Sequence, residues 1–453
     1  MEKLLKAVEK YSTQIKEAEE FLWQNAEAGY KEYVTNAYMI EQFEKLGYSL
    51  NKAQDITGFS TTIDTKKEGP TIAIIAELDG LYSNGHPATN EKTGCCHACG
   101  HHIQLSAMLG IAYALKEEGV LDELCGKIKL IVVPAEEGIE ISYRLNLIKE
   151  GKITFSSGKP EFIKRGFFND VDICYMVHAS NLSIFKDKAV YRVGGGHNGV
   201  IRKKTTIIGK ASHAGGAPEN GINALNAASM AISAINNLRE TFKDEDHIRV
   251  HSIITEGGSS VNVVPNKVVI ESYVRGADSR KLKDANDKVN RAIVSSVAIF
   301  GASVTINDMA GSEPLITDEK LKTLAGKVME DLVGKDGYVL DNLFEGSSTD
   351  MGDVSNLFPS IHAYVGGVEG RIHGKEFRVT DKDIAVVGSA KFQVGLLYSL
   401  LKDNAKEAYE IIKNFKPTFN SIEEYVEYKT GISEIYEGVE YLDNGDIKLH
   451  FKK

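Results

Sequence analysis

The stretch Lys127-Ile-Lys-Leu-Ile-Val-Val-Pro-Ala-Glu136-Glu137-Gly138 places two adjacent glutamates directly after an apolar run. Such a run predicts a buried strand, because unbroken apolar segments are typical of the interior of a parallel sheet. Two neighbouring carboxylates repel each other unless a cation or a proton lies between them. Since adjacent side chains point in different directions, one glutamate can bind a metal ion while the other reaches a water molecule. A bare pair of glutamates is more often a solvated acidic turn. After an apolar strand and a proline, and in one chain with the histidine and cysteine motif upstream, the pair instead indicates a hydrolytic site at a strand end.

Upstream, the motif His97-Ala-Cys99-Gly-His101-His102 precedes a segment whose apolar spacing predicts a helix. The partial positive charge of a helix N-terminus favours a thiolate, and thiolate plus imidazole suits zinc or a similar divalent ion. Cys96 and Cys99 also spell C-x-x-C, so a thiol or redox protein is the alternative interpretation of this motif.

Three further candidate groups lie at or near strand ends. Asp79 follows a short apolar strand, His178 ends another, and His373 is isolated between glycines. Spacing alone does not choose between His373 and His362. A metal centre explains why several groups that are costly to bury follow apolar strands.

Strands alternate with helices in the first half of the chain, which predicts an α/β fold with a mixed, largely parallel sheet flanked by helices. In such sheets, sites form beyond the carboxyl ends of the strands. Residues 199–308 instead follow the order β-α-β-β-α-β, the ferredoxin-like arrangement. We therefore expect a metal-binding domain formed by residues 1–198 and 309–453, interrupted by a smaller inserted domain at 199–308. Residues 403–453 suggest no role.

The composition restricts the classes of partner. A chain of 453 residues favours two domains, and a net charge of −10 disfavours nucleic acid. The apolar runs fall short of the roughly 20 residues that span a bilayer, so no membrane association is expected. Five cysteines without an export signal predict reduced thiols and a cytoplasmic location.

Polar residues in the inserted segment suggest contacts with a substrate. His213, in Gly209-Lys-Ala-Ser-His213-Ala, could donate a hydrogen bond to an oxyanion. Asn262 and Arg275 could bind a substrate carboxylate. From sequence context alone, a turn histidine is an equally good interpretation of His213, and ordinary loop polarity and a surface cation are the favoured interpretations of Asn262 and Arg275.

In combination, these motifs resemble peptidase family M20, the aminoacylase and carboxypeptidase-type di-metal peptidases. Within that family the chain looks closest to the amidohydrolase branch, which includes aminobenzoyl-glutamate hydrolase subunits and relatives of β-alanyl-lysine dipeptidase. The resemblance runs from about residue 18 to about residue 400. The motifs that carry it are His97-Ala-Cys99-Gly-His101, Pro134-Ala-Glu136-Glu137-Gly138, Gly209-Lys-Ala-Ser-His213-Ala, Asn262-Val-Val-Pro265 and Ser348-Thr-Asp350-Met-Gly352-Asp353.

The resemblance implies two divalent metal ions per subunit, with zinc, manganese and cobalt all suited to a site that contains a thiolate. It also implies that the inserted domain is a lid that mediates homodimerisation. The implied metal ligands are Cys99 bridging both ions, His101 and Glu137 on one, and His178 and His373 on the other.

The resemblance further implies roles for catalytic residues: Glu136 as general base, Asp79 orienting a ligand, and His213 stabilising the tetrahedral intermediate from across the dimer. Asn262 and Arg275 would contact the terminal carboxylate of the substrate. Two features depart from the family pattern. His102 stands where the family has aspartate, and the segment 83–96 replaces a proline-rich approach to the site.

The expected function is a metal-dependent hydrolase that cleaves the amide bond of a small dipeptide, or of an N-acyl or aminoacyl amino acid with a free carboxylate. Glu136 would act as general base on metal-activated water. The alternatives are a catalytically inactive, ligand-binding relative and, as above, a thiol or redox protein.

Overall fold

The computed structural model describes residues 1–83 and 85–452, and it divides the chain into two compact units. The first unit consists of Met1–Gly196, Ile316–Phe344 and Asp353–Ile422. The second unit consists of His197–Leu315, Glu345–Gly352 and Glu423–Lys453. The first division thus falls directly after a run of three glycines.

The helices alternate with the strands through much of the chain. Their bounds are α1 (Glu2–Lys10), α2 (Ser12–Gln24), α3 (Tyr33–Lys45), α4 (His101–Ala114), α5 (Ile141–Lys149), α6 (Gly158–Lys164), α7 (Ala224–Asn237), α8 (Ser279–Ala298), α9 (Glu319–Val333), α10 (Met351–Ser355), α11 (Ser389–Leu401), α12 (Lys406–Asn414) and α13 (Ile422–Ile432).

The strands group into one sheet in each unit and a few short hairpins. Their bounds are β1 (Asn51–Lys52), β2 (Phe59–Asp64), β3 (Thr71–Glu77), β4 (Leu81–Tyr82), β5 (Cys95–Cys96), β6 (Lys127–Val133), β7 (Ile173–Ala179), β8 (Tyr191–Val193), β9 (Gly199–Ile208), β10 (Arg249–Glu256), β11 (Lys267–Gly276), β12 (Ser303–Ala310), β13 (Tyr338–Leu340), β14 (Ser360–Val365), β15 (Val368–Glu369), β16 (Arg378–Val379), β17 (Glu434–Glu437), β18 (Val439–Tyr441) and β19 (Ile447–Leu449).

The sheet of the first unit has eight strands in the order β1-β2-β6-β3-β7-β14-β8-β13. Its central strands β6, β3, β7 and β14 are parallel, whereas β2 pairs antiparallel with β6 and β8 with β14. Strands β3, β7 and β14 are buried along their whole length, as their apolar sequences require. The prediction of a mixed, largely parallel sheet is confirmed.

Helix α4 packs against this sheet and against α2 and α11, so that nearly all of its residues are buried. One helical segment, Asp383–Leu401, is long and apolar enough to cross a membrane. In the protein 78% of its apolar window is buried, which is typical of a core helix.

In the second unit β9, α7, β10, β11, α8 and β12 follow the predicted β-α-β-β-α-β order. The four strands among these elements, together with β17, form an antiparallel sheet in the order β10-β11-β9-β12-β17. Its fifth strand comes from the tail, where β17 pairs with residues 305–308 of β12. Residues 423–453, which the sequence had grouped with the metal-binding domain, thus belong to the second unit. The physical reason is burial, because Ile432 and Val439 lie in its hydrophobic core.

Candidate metal centre

The site forms where parallel strands of the first unit end together. Strands β3 and β6 end in register, with Glu77 opposite Val133, and β7 ends at Ala179 on the other side of β3. The segments that follow carry Asp79 and the two glutamates. Because the carboxyl ends of parallel strands share one edge of the sheet, residues distant in sequence converge there.

A tight turn delivers the thiol and the first imidazole to this edge. Gly100 adopts a φ of 90° directly before α4 begins at His101. A side chain at Gly100 would be strained in this conformation, and its Cβ would lie 3.0 Å from the Cβ of Ala179. The glycine therefore lets Cys99 and His101 approach the end of β7.

The five side chains predicted as metal ligands come together. Potential ligand atoms of Cys99, His101 and His178 all lie within 4.8 Å of one another, and so do those of Cys99, Glu137 and His373. Cys99 belongs to both groups, and its Sγ lies 3.3 Å from Nε2 of His178. Such a shared thiol is the arrangement expected of a bridging ligand between two cations.

The geometry also distinguishes His373 from His362 as a candidate metal ligand. His373 has a left-handed backbone (φ 66°), and its N–H donates to the carbonyl of Ala98 at 2.8 Å. Its Nε2 lies 2.9 Å from Oε1 of Glu137. His362 instead stacks on His178, with ring centroids 5.5 Å apart.

Asp79 connects the two halves of the cluster. Its Oδ1 lies 3.2 Å from Nδ1 of His101, and its Oδ2 accepts a hydrogen bond from the N–H of Glu137 at 2.9 Å. The carboxylate is fully buried. Asp79 therefore orients the imidazole of His101 through its backbone carbonyl and the backbone of Glu137 through its carboxylate.

Hydrogen bonds fix which nitrogen of each buried imidazole is available to a ligand. Nδ1 of His101 lies 2.7 Å from the carbonyl of Asp79, and Nδ1 of His178 lies 2.8 Å from the carbonyl of Ala179. Because a carbonyl only accepts, each Nδ1 carries the hydrogen. Nε2 of each ring therefore faces the cluster, which is the orientation that a metal ligand needs once that nitrogen is deprotonated.

Burial and neighbouring charges shift the titration of the cluster. Burial, reinforced by Glu137, raises the pKa of the Cys99 thiol well above its usual value. Burial, and then His101, lowers the pKa of His178 to about 4. Although burial acts against the charge of Glu137, His373 beside it lowers the pKa of that carboxyl to about 2. Cation binding would thus have to displace a proton from the thiol.

The donor set fits divalent metal ions. His101 Nε2 and Glu137 Oε1 are buried, and neither makes a well-aligned hydrogen bond among the described residues. Groups of this kind are costly to bury unless a further partner satisfies them. One thiol, three imidazoles and a carboxylate suit zinc and similar ions better than calcium or magnesium, which prefer oxygen ligands alone.

Glu136, the predicted general base, lies beside the cluster. Its carboxylate belongs to a group with His101 and Glu137 whose potential ligand atoms lie within 4.8 Å of one another. Glu136 is half-buried, whereas Glu137 is buried. The adjacent glutamates thus occupy different environments, with Glu137 inside the cluster and Glu136 at its margin.

Two buried groups beside the cluster were missed from the sequence. Glu77 Oε2 lies 3.0 Å from Nε2 of His101, and its other oxygen accepts from the ammonium of the fully buried Lys159. Burial opposes the charge of Glu77, but Lys159 and His101 lower its pKa. Glu77 had the same signal as Asp79, a carboxylate at the end of an apolar strand. Lys159 had no local signal.

His102 is turned to a different set of partners. Its Nε2 lies 3.3 Å from Oε1 of Glu19, and Lys382 pairs with the other oxygen of that carboxylate at 2.8 Å. The ring also packs against Trp23, with centroids 4.8 Å apart. His102 thus joins a buried ion-pair network on α2. In the other departing segment, 83–96, residue 84 lies outside the described residues.

The remaining predicted residues lie in the second unit. His213 is exposed, and its Nδ1 accepts from the N–H groups of Gly215 and Gly216 at 3.2 and 2.9 Å. Its Nε2 therefore carries the hydrogen. Asn262 is adjacent, because its carbonyl accepts from the N–H of Ala214 at 2.9 Å.

Arg275 stands on β11, where its guanidinium donates to the hydroxyl of Ser348 at 2.6 Å. It is half-buried and also lies 3.3 Å from a ring nitrogen of His251. Arg275 is therefore held in one orientation by side chains of its own unit.

A mixed, largely parallel sheet with thiol, imidazole and carboxylate groups gathered at its strand ends is a setting typical of metal-dependent hydrolases. Residues 73–391 match the description "Peptidase family M20/M25/M40", and the chain belongs to that family. The resemblance inferred from the motifs is confirmed, and the protein is an M20-family hydrolase.

Named relatives show the range of this family. An N-acetyl-L-cysteine deacetylase of Bacillus subtilis is 29% identical over 67% of this chain and 69% of its own length. An Xaa-Arg dipeptidase of Mus musculus is 29% identical over 65% of this chain and 60% of its own length. A dinuclear metal-binding M20 peptidase from Bacillus subtilis has the same fold, with a TM-score of 0.63 and 20% identity over 87% of this chain and 99% of its own.

Proposed function

We propose that the protein hydrolyses the amide bond of a small dipeptide, or of an N-acyl or aminoacyl amino acid with a free carboxylate. The observation that carries the proposal is the convergence of Cys99, His101, Glu137, His178 and His373, with Glu136 beside them. The relatives' names, a deacetylase of an acyl amino acid and a dipeptidase, support this substrate class.

Two divalent cations, zinc, manganese or cobalt, would be held by the five-residue cluster and would supply charge that lowers the pKa of a water molecule. Glu136 removes a proton from the attacking water and returns it to the amine that leaves. In this sequence a C–O bond forms, the amide C–N bond breaks, and the proton moves from oxygen to nitrogen through one carboxylate. The half-buried position of Glu136 at the margin of the cluster supports this role.

The second unit supplies the groups for the rest of the substrate in this proposal. His213 donates its Nε2 hydrogen to the carbonyl oxygen as that oxygen gains negative charge. Its tautomer, set by Gly215 and Gly216, supports a neutral donor. Asn262 and Arg275 bind the terminal carboxylate, for which a guanidinium is well suited.

A chelator-sensitive assay tests the proposal. Metal-free protein would be supplied with zinc, manganese or cobalt in turn and given a panel of N-acyl amino acids and dipeptides. Each substrate with a free carboxylate would be compared with the same compound in which that carboxylate is converted to a primary amide. We expect metal-dependent turnover of the acids and far slower turnover of the amides. Turnover that survives chelation, or equal turnover of acids and amides, would contradict the proposal.

We further propose that the protein is a cytoplasmic homodimer that pairs through its second unit. Support comes from β10, which forms one edge of the sheet while β17 forms the other edge. The side chains of Ile253 and Ile254 on β10 are 63% and 42% exposed. Outer strands with apolar side chains readily pair with another chain. Ile253→Lys should lower the mass measured by light scattering to that of one chain, whereas a change at the exposed Ile299, directly after α8, to lysine (Ile299→Lys) should not. Five free, buried cysteines support a reducing compartment.

A further inference from the structure

The backbone directly before the glutamate pair is left-handed. Ala135 has a φ of 54°, a region that residues with a side chain rarely adopt. Such conformations persist only where the surroundings hold them, and they concentrate at functional sites. The carboxylate of Glu136 is the next side chain along, so its direction depends on this turn.

On one side, a buried carboxylate holds the amide of Ala135. Glu32, which is 0% exposed directly before α3, accepts the N–H of Ala135 on Oε1 at 2.8 Å. Its Oε2 accepts from the hydroxyl of Thr57. Glu32 is therefore itself fixed, and it presents one oxygen to the left-handed residue.

On the other side, one guanidinium spans the glutamate pair. Arg144 is 1% exposed, and its Nη1 donates to the carbonyls of Ala135, at 3.4 Å, and of Ser156. Its Nη2 donates to the carbonyl of Glu137. The planar fork of a single side chain thus binds the carbonyls on both sides of Glu136, which an ammonium group could not do in the same geometry.

Close packing leaves little room for this turn to move. The N–H of Gly158 donates to the carbonyl of Ala135 at 3.2 Å, and a Cβ at Gly158 would meet the Pro134 oxygen at 1.6 Å. A Cβ at Gly29 would lie 2.7 Å from the Cα of Ala135. Both glycines permit contacts that a larger residue would break.

We infer that Arg144 and Glu32 are positioning residues for hydrolysis: they hold Ala135 in its left-handed turn and thereby aim the carboxylate of Glu136. The inference rests on the proposed function, in which Glu136 is the general base. Neither residue needs to touch the substrate. Because misplacement of a catalytic group by about 1 Å can cost around 100-fold in rate, loss of either contact should lower kcat.

The first test is Arg144→Lys, which keeps the charge but loses the fork. We expect kcat to fall about 10- to 100-fold, with KM and bound metal per chain unchanged. The matched control is Arg165→Lys. Arg165 also donates to backbone carbonyls, of Gln54 and Lys152, but lies outside the turn. Its kcat should stay within about twofold of wild type. Unchanged kcat in Arg144→Lys, or a loss matched by equal loss of metal, would overturn the inference.

A second substitution tests whether Arg144 acts by supporting the left-handed turn at Ala135. Glycine adopts a positive φ without strain, so Ala135→Gly should restore much of the kcat lost in Arg144→Lys. It should restore nothing to Glu136→Gln, which lacks the carboxylate. If Arg144 only fills space, the double variant will be no faster than Arg144→Lys, and the inference is then wrong.

Glu32 provides the test should Arg144→Lys fail to fold. Glu32→Gln keeps an acceptor for the N–H of Ala135 and should keep kcat within about twofold, whereas the similarly shaped Glu32→Met should lose about tenfold. Equal kcat in the two variants would overturn the inference. A wild-type protein without amidase activity, or an active Glu136→Gln, would instead refute the proposed function.

Discussion

Both units bury charged side chains, but they do so in different ways. In the core of the second unit, the ammonium of Lys203 donates to Asp308 and Asn290, and the amides of Asn286 and Asn290 donate to the same carboxylate at 2.7 and 2.6 Å. The cation and the anion of this network are thus each other's partners. In the first unit, the lone pairs of His101 Nε2 and Glu137 Oε1 lack aligned donors.

The comparison shows that buried charge alone does not identify a site. We call the Lys203 network closed because its cation and its anion pair with each other and with two amides, as a structural ion pair must, although Oδ1 of Asn286 has no hydrogen-bond partner among the described residues. The Cys99 cluster is open, and its atoms are the soft and borderline donors that bind zinc-like ions. Because each region contains a buried polar atom without a hydrogen bond, the type of donor atom is what distinguishes the two regions.

The largest effect is expected at the open cluster. Glu136→Gln should lower kcat by about 10²–10⁴, because a glutamine cannot transfer the proton. Bound metal, measured by elemental analysis, should stay at the wild-type level, since Glu137 and not Glu136 lies inside the cluster. A variant that keeps wild-type turnover would remove Glu136 from the role of base.

The closed network should respond in stability only. Lys203→Met leaves Asp308 buried without its cation, so the free energy of unfolding should fall by about 3–5 kcal/mol in denaturant titrations. Metal content should not change. Lys243→Met is the control, because Lys243 pairs with Glu245 on the surface, where such a change costs little. A loss of bound metal in Lys203→Met would contradict the prediction that the Lys203 network affects stability alone.

The open cluster should respond to metal. Adding a divalent ion at about 100 times its dissociation constant should stabilise wild type by about 2.7 kcal/mol, since the ion binds the folded state. Cys99→Ala should lose most of this gain and bind less metal per chain. Cys174→Ala, which alters another fully buried thiol away from the cluster, should keep both. Unchanged metal content in Cys99→Ala would exclude it as a ligand.

The smallest effect concerns pH. Burial, and then Asp79, raises the pKa of Glu32 from its ordinary 4.5 to about 7, against hydrogen bonds from Thr57 and Ala135. Between these values the folded state holds more protons than the unfolded state, so this contribution to stability is lost as pH rises through about 7. Glu32→Gln should lack that decline in denaturant titrations of the metal-free protein, and the exposed Glu44→Gln should retain it. Identical slopes would contradict the assignment.

Much of the first unit could be predicted because its signals are local. Apolar strands such as Ile173–Ala179 and the polar groups that follow them indicate both the sheet and the edge where the site forms. The five predicted ligands meet there, although the choice of His373 over His362 came from the resemblance. Spacing could not make it, because the left-handed turn at His373 has no sequence pattern.

What the sequence did not reveal depends on contacts between distant segments. Lys159 and Arg144 are ordinary cations on short helices, and only the folded chain shows that they reach Glu77 and the glutamate pair. The tail was misassigned for the same reason. Nothing in Glu434–Glu437 distinguishes a strand that joins the second sheet from one that joins the first.

Because β17 pairs with β12, the sheet of the second unit is completed only some time after β12 has been synthesised. Asp308 emerges from the ribosome 126 residues before its partner Glu434, and Thr305 emerges 132 residues before its partner Glu437. At 5–20 residues per second, β12 waits roughly 6–25 s for its neighbour. During that interval the nascent sheet has an unpaired edge that invites contact with other polypeptides. Completion of the second sheet therefore waits for a segment far along the chain, and stop codons placed before Glu434 should yield aggregation-prone translation products.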